Sequence, residues 1–152
     1  MAMFQKQLMM RKVVYSLIPI FIFSMILYGW RSLAVTGVVF VFGIFTEYLF
    51  MKHRGKKVSE AVLVTCSLYA LSLPPAVPLW IAAIGIIFGV LFAKCIFGGF
   101  GRNIFNPAIA GRLFIYVAFP DGMQRSFIQP WMPGTAWNFS LGTSIDSATA
   151  AT

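Results

Sequence analysis

Val13-Val14-Tyr15-Ser16-Leu17-Ile18-Pro19-Ile20-Phe21-Ile22-Phe23-Ser24-Met25-Ile26-Leu27-Tyr28-Gly29-Trp30 runs without a single charged side chain. At about 1.5 Å per helical residue the stretch is about 27 Å long, close to the roughly 30 Å hydrocarbon core of a bilayer. Lys6, Arg11 and Lys12 precede it. A basic lead before an apolar run is also the outline of a signal peptide, but this run ends in Tyr28-Gly29-Trp30-Arg31, with no small-x-small cleavage site. The reading is an uncleaved first membrane helix, over residues 13–30.

Four further apolar runs follow. Residues 32–51 end in the basic cluster Lys52-His53-Arg54-Gly55-Lys56-Lys57. Residues 59–73 stop at Pro74-Pro75, because proline has no N–H to give and restricts the residue before it. At about 22 Å this third run barely spans, so it is expected to be a short or interrupted helix. Pro78 suits a first helical position and opens the run 78–97, which carries Gly85-x-x-x-Gly89, a small-residue face for close helix contact. After the turn Gly98-Gly99-Phe100-Gly101-Arg102-Asn103, the run 104–119 is interrupted early by Asn106-Pro107. The expected organisation is a five-helix transmembrane domain over residues 1–119, all-α, followed by a polar segment over residues 120–152. That segment holds Asp121-Gly122 and Trp131-Met132-Pro133-Gly134 and shows no helical or strand periodicity, so it reads as a loop or surface flap.

Composition agrees: 59% of residues are hydrophobic and 11% charged, with a mean hydropathy of +0.83. Soluble domains are roughly half apolar and a quarter charged. The net charge of +8 would point to nucleic acid in a soluble domain, but here the basic residues cluster between apolar runs, where they orient helices. Nucleic acid is set aside; the expected surroundings are a lipid bilayer. With a cytoplasmic N-terminus, Lys6, Arg11, Lys12, Lys52, Arg54, Lys56, Lys57, Lys94 and Arg102 fall at or near the cytoplasmic face and only Arg31 and Arg125 fall outside. Five crossings then leave residues 120–152 outside, with Trp30, Trp80, Trp131 and Trp137 on or near that side.

Glu47 and Arg112 lie inside apolar runs, where a charge is costly unless paired or hydrated. Arg112 is expected to pair with Glu47 or Glu60, or to hold an electronegative part of a ligand. Glu60 also fits a first helical turn, favoured by the helix dipole with Ser59 as cap, or a cation path. Asn103 and Asn106 suit either helix capping or a ligand site in interrupted backbone. Cys66 and Cys95 are far apart in apolar runs and read as small hydrophobes, with no metal-ligand spacing. The sequence contains no Walker loop, dinucleotide fingerprint or serine-triad signature.

Glu47-Tyr48-Leu49-Phe50, the stretch from Leu73 to Gly85 (LPPAVPLWIAAIG), Phe97-Gly98-Gly99-Phe100-Gly101-Arg102-Asn103, and Asn106-Pro107-Ala108-Ile109-Ala110-Gly111-Arg112 together resemble the RnfD/NqrB family of membrane flavoprotein subunits. The tail Asp146-Ser147-Ala148-Thr149-Ala150-Ala151-Thr152 resembles that family's flavinylation motif. Its acidic position falls on Asp146, its hydroxyl position on Thr149, and its closing Ala-Thr on Ala151 and Thr152. Ser147 and Ala150 stand where many members have glycine or another small residue. The resemblance implies FMN joined through its phosphate to Thr152 by an FMN transferase working outside the cytoplasmic membrane. Charge counting independently puts Thr152 on that side. Whether riboflavin or another second, noncovalent flavin is also bound is left open.

The resemblance further implies an electron-carrying subunit of an ion-translocating oxidoreductase in the cell inner membrane, with other membrane and peripheral subunits as partners and the NAD site on one of them. The short lead before the first helix favours the Rnf ferredoxin:NAD type; the alternative is the NqrB subunit of the Na+-translocating NADH:quinone type. It also implies a urea-transporter-like fold of two inverted five-helix halves, of which this chain holds the first, the second being absent or separately encoded. A passive transporter on the same scaffold is the rival of another class; it accounts for the helices and turns but not for the tail.

Overall fold

A computed structural model describes residues 4–5, 8–55, 58–98, 101–103 and 105–127. The first run becomes α1, Leu8–Tyr28, and the second α2, Trp30–His53. Both are long and apolar enough to cross a membrane. One residue separates them. Gly29 has φ 66° and ψ −154°, a backbone state essentially closed to side-chain-bearing residues. Next to this joint Ser24 and Ser32 share a hydrogen bond of 3.0 Å, so the two helices fold back on each other.

The third helix, α3, is Ala61–Ser72, and the break at Pro74-Pro75 falls where the prolines demand. The fourth starts at Leu79 behind Pro78 and runs as α4 to Phe88; it then widens into a π-helical segment, Gly89–Cys95. The widening shows in Ile96 N–H donating to Leu91 O at 3.0 Å, five residues back. The fifth, α5, spans Pro107–Ala118 and is followed by a short α6, Pro120–Gln124. So residues 120–124, expected as loop, are helical: Pro120 fits an N-terminal position and Asp121 lies in the first turn. Two short parallel strands, Phe4–Gln5 (β1) and Val58–Ser59 (β2), depart from the all-helical expectation and tie the start of the chain to the lead into α3. At about 18 Å each, α3 and α5 are too short to cross the hydrocarbon core alone.

α2, α3 and α4 form the centre, with α5 packed on α4 and its π-segment. Val39, Val62, Cys66, Tyr69, Ile86, Val90 and Ile115 fill the core. Glycine sets the α4–α5 distance: a Cβ on Gly111 would stand 2.5 Å from Gly85 O, and one on Gly89 would strike Pro107 O. The expected packing face of Gly85 and Gly89 is thus present, with Gly111 as its counterpart. Hydroxyls are satisfied within their own helices: Thr36 donates to Ser32 O, Thr46 to Phe42 O, Thr65 to Ala61 O and Ser67 to Leu63 O. Such back-bonding suits side chains with no water to turn to.

α1 is the outermost element. None of its hydrophobic window is buried, and Tyr15, Ile22, Phe23 and Ile26 are all exposed. Apolar surface on that scale needs lipid or another protein surface over it. With its long apolar helices, the molecule is a membrane protein.

The bundle has two chemically distinct ends. At one, Arg31 Nη2 donates to Ala76 O at 2.9 Å and Ala76 N–H to Ser126 O at 3.3 Å, with Trp30 and Trp80 exposed nearby in sequence. At the other, Arg11 meets Glu60, β1 pairs with β2, and Arg54 Nη1 donates to Cys95 O at 3.2 Å. The chain leaves the described region at Phe127, on the tryptophan end.

Candidate functional site

The sequence-derived site residues fall into two groups. Asp146, Thr149, Ala151 and Thr152 lie outside the described residues. Arg112 and Asn106 are on or beside α5. Asn106 is its N-cap, with Oδ1 accepting from Ala108 N–H at 3.0 Å, so this carbonyl oxygen is committed to capping. Asn103 Nδ2 donates to Phe105 O at 3.3 Å within the same turn.

Arg112 is exposed and, among the described residues, pairs with no carboxylate. This corrects the expected partnership with Glu47 or Glu60. Gly111 must face α4, and at about 100° per residue that turns position 112 away from the core. Arg112 instead shares an outward face with Ile109, Leu113 and Tyr116.

The two carboxylates have other cations. Glu60 accepts from Arg11 Nε at 2.9 Å and from Arg11 Nη2 at 2.5 Å, joining α1 to the start of α3. Glu60 occupies the N-cap position of α3 but makes no side-chain cap hydrogen bond. The Ser59 hydroxyl does not cap α3 either; it donates to Glu47. Glu60 therefore stands just before the first turn in which it was expected, and the expected Ser59 cap is absent because its long-range partner Glu47 takes the hydroxyl. Beside the Arg11–Glu60 pair a cleft of about 290 Å3 opens between α1 and α3, lined also by Met10, Val14, Tyr15 and Leu63.

Glu47 is the centre of the most enclosed polar cluster. Its Oε2 accepts from Lys94 Nζ at 2.6 Å, and its Oε1 accepts from Ser59 N–H at 3.1 Å and Ser59 Oγ–H at 2.7 Å. Side-chain exposure is 2% for Lys94 and 1% for Glu47. Three elements build it: the last two turns of α2, strand β2 and the π-segment. Within the π-segment Ala93, Lys94 and Cys95 are all buried. From sequence Lys94 reads as a flanking basic residue; the available signal to the contrary is that it is the one cation inside the run 78–97.

Cys66 and Cys95 are free and buried, as expected from sequence. Among the described residues no group of three or more His, Cys, Asp or Glu side chains is placed to hold a metal ion.

An apolar bundle with short, proline-interrupted helices and an ion pair, Glu47–Lys94, sealed between them is a membrane-embedded protein. The sequence profile of the NQR2, RnfD, RnfE family matches residues 3–152, and the chain belongs to that family. It is 49% identical over 128 residues to the NqrB subunit of the Na(+)-translocating NADH-quinone reductase of Pseudoalteromonas atlantica, covering 84% of this chain and 31% of the relative. Proteins of the same name match from Klebsiella pneumoniae (48% over 101 residues, 60% of this chain and 24% of the relative) and Ectopseudomonas mendocina (44% over 109 residues, 72% and 27%). The chain thus spans less than a third of the length of these relatives. All three carry the NADH-quinone reductase name, so the comparisons favour that type over the Rnf type to which the short lead pointed.

Proposed function

We propose that this chain is the flavin-bearing portion of an NqrB-type subunit of a Na+-translocating NADH:quinone oxidoreductase, working as an electron carrier in the cell inner membrane. The observation that carries the reading is the family match over residues 3–152, which takes in the tail as well as the helices. The same reading makes the five helices one half of a urea-transporter-like inverted repeat. Its partners are the other subunits of such a complex and an FMN transferase, and its N-terminus is cytoplasmic with Thr152 on the opposite side.

FMN joined by its phosphate to the Thr152 hydroxyl keeps its ring free for one- and two-electron chemistry while losing the freedom to diffuse. The chain's own share is attachment and placement. Threonine is a weak nucleophile needing activation, and Asp146 beside a backbone of small residues suits a segment that must enter a transferase active site. Thr149 and Ala151 complete the recognised segment. Arg112 fits an anionic group: its guanidinium is exposed on α5 without a carboxylate among the described residues. If Arg112 has this role, Arg112→Gln lowers flavin content or turnover; unchanged values for both rule it out.

The test is flavin fluorescence of the chain on a denaturing gel after co-production with the FMN transferase, with peptide mass mapping across Ile145 to Thr152. The expected result is fluorescence in the wild type, an FMN mass increment on the peptide containing Thr152, and loss of both in Thr152→Ala. A wild-type chain without covalent flavin would overturn the reading in favour of a transporter-like or purely structural subunit.

A further inference from the structure

We propose that a polar cavity at the tryptophan end of the bundle binds the headgroup of a phosphatidylethanolamine, whose primary ammonium sits among hydroxyl and carbonyl oxygens at the end of α3. The cavity, of about 190 Å3, lies between α1, the start of α2 and the Pro74-Pro75 break. Four of its lining side chains, Ser24, Tyr28, Ser32 and Ser72, end in hydroxyls. Two of their hydrogens are already committed, one between Ser24 and Ser32 and one from Ser72 to Tyr69 O at 2.8 Å. Each hydroxyl has two lone pairs and one hydrogen, so the set offers a ligand more acceptors than donors.

The helix end adds further acceptors. The last carbonyls of an α-helix have no N–H partner within it, and the chain beyond α3 supplies few substitutes. Pro74 and Pro75 have no N–H, the Leu73 N–H goes to Ala70 O at 3.3 Å, and the Ala76 N–H goes to Ser126 O. Leu71 and Ser72, at the negative pole of the α3 dipole, line the cavity. Among the described residues no Asp or Glu lines it, so its attraction for positive charge comes from partial charges alone. Arg31 flanks it, next to Ser32 in the chain and with Nη2 on the carbonyl that follows Pro75. A bare cation would meet that guanidinium with no formal counter-charge. A zwitterionic headgroup brings its own: the ammonium faces the oxygens and the phosphate lies towards Arg31. The depth fits as well, because Trp30 and Trp80, exposed at the same end, mark the headgroup level. Ile20, four residues from Ser24 on the same face of α1, is exposed and offers apolar surface to an acyl chain. The inference needs the membrane character of the bundle, but neither the flavin nor the orientation.

The experiment uses the intact membrane complex in phosphatidylcholine nanodiscs holding a small fraction of phosphatidylethanolamine with a photoactivatable diazirine beside its glycerol. Adducts are read by peptide mass mapping. The background lipid is itself a control, since its trimethylammonium has no N–H to give. Adducts are expected on the peptides carrying Tyr28 and Phe127, both of which line the cavity. Unlabelled phosphatidylethanolamine is expected to reduce them several-fold, and an equal amount of phosphatidylglycerol to leave them nearly unchanged. Ser24→Ala/Ser32→Ala and Tyr28→Phe, which remove acceptors, are each expected to weaken labelling several-fold. Tyr28→Phe hardly alters shape and supplies the test should the double variant fail to assemble. Phosphatidylglycerol competing equally well would mean that Arg31 holds a phosphate alone, and ethylammonium chloride competing as well would mean a site for a free amine. Either result, an absence of adducts on these peptides, or labelling unchanged in the variants overturns the proposal. Labelling does not involve flavin, so a chain that never acquires FMN would still report on this site.

Discussion

Removing one partner of the Glu47–Lys94 pair leaves a buried charge alone, whereas removing both leaves none. Glu47→Gln or Lys94→Met is therefore expected to destabilise by about 3–5 kcal/mol, with Glu47→Gln/Lys94→Met closer to wild type than either single variant. Thermal unfolding at a fixed salt concentration checks this; additive losses would mean that the side chains are not coupled. Asn106→Ala removes an observed cap and is expected to cost about 1 kcal/mol, with Asn106→Ser retaining most of it. The sequence makes clear that Glu47 needs compensation but not which cation supplies it. Lys94 is 47 positions away, on a π-segment that leaves no periodic trace in so apolar a run. Arg112 is the more conspicuous charge, yet the neighbouring Gly111 commits the opposite side of α5 to α4.

Helix limits follow from residues whose backbone chemistry is restrictive. Pro74-Pro75 ends α3, Pro78 precedes α4, and Asn106-Pro107 opens α5. The short α6 is not legible in the sequence because a five-residue helix is too brief to display a period. Close helix contact is legible from Gly85-x-x-x-Gly89, but its counterpart on α5 is not, since a lone Gly111 carries no spacing. That contact makes a graded prediction. Gly111→Ala drives a methyl against the Gly85 carbonyl and is expected to lower stability by about 1–3 kcal/mol. Gly37→Ala has nothing within 4 Å of the new Cβ and is expected to be neutral or stabilising by about 0.5–1 kcal/mol. Equal unfolding temperatures for the two variants would argue against the α4–α5 crossing.

The helical body is readable because hydropathy alone dictates it, and the charge asymmetry reappears as two unlike ends of one bundle. Its direction in the membrane is open to a labelling test. His53→Cys and Phe127→Cys are exposed positions at opposite ends, while the native thiols are buried. An impermeant maleimide added to intact cells is expected to label Phe127→Cys only, and His53→Cys only after the membrane is opened; the reverse pattern would invert the orientation. The choice between the two oxidoreductase types is not legible, because the residues quoted for the resemblance point to the family as a whole and the short lead favours a type that the named relatives do not carry. The single-residue joint at Gly29 also bears on how the chain is made. With no loop between them, α1 and α2 are suited to entering the bilayer as one hairpin during synthesis, and in the orientation proposed above its tip carries Arg31 across. A carbonyl that receives this guanidinium belongs to Ala76, 45 residues later in the chain. Until that residue emerges from the ribosome this contact cannot form, and the translocated charge draws more heavily on lipid headgroups and water. Anionic outer-leaflet lipid is therefore expected to ease an early step of biogenesis that the finished bundle no longer needs.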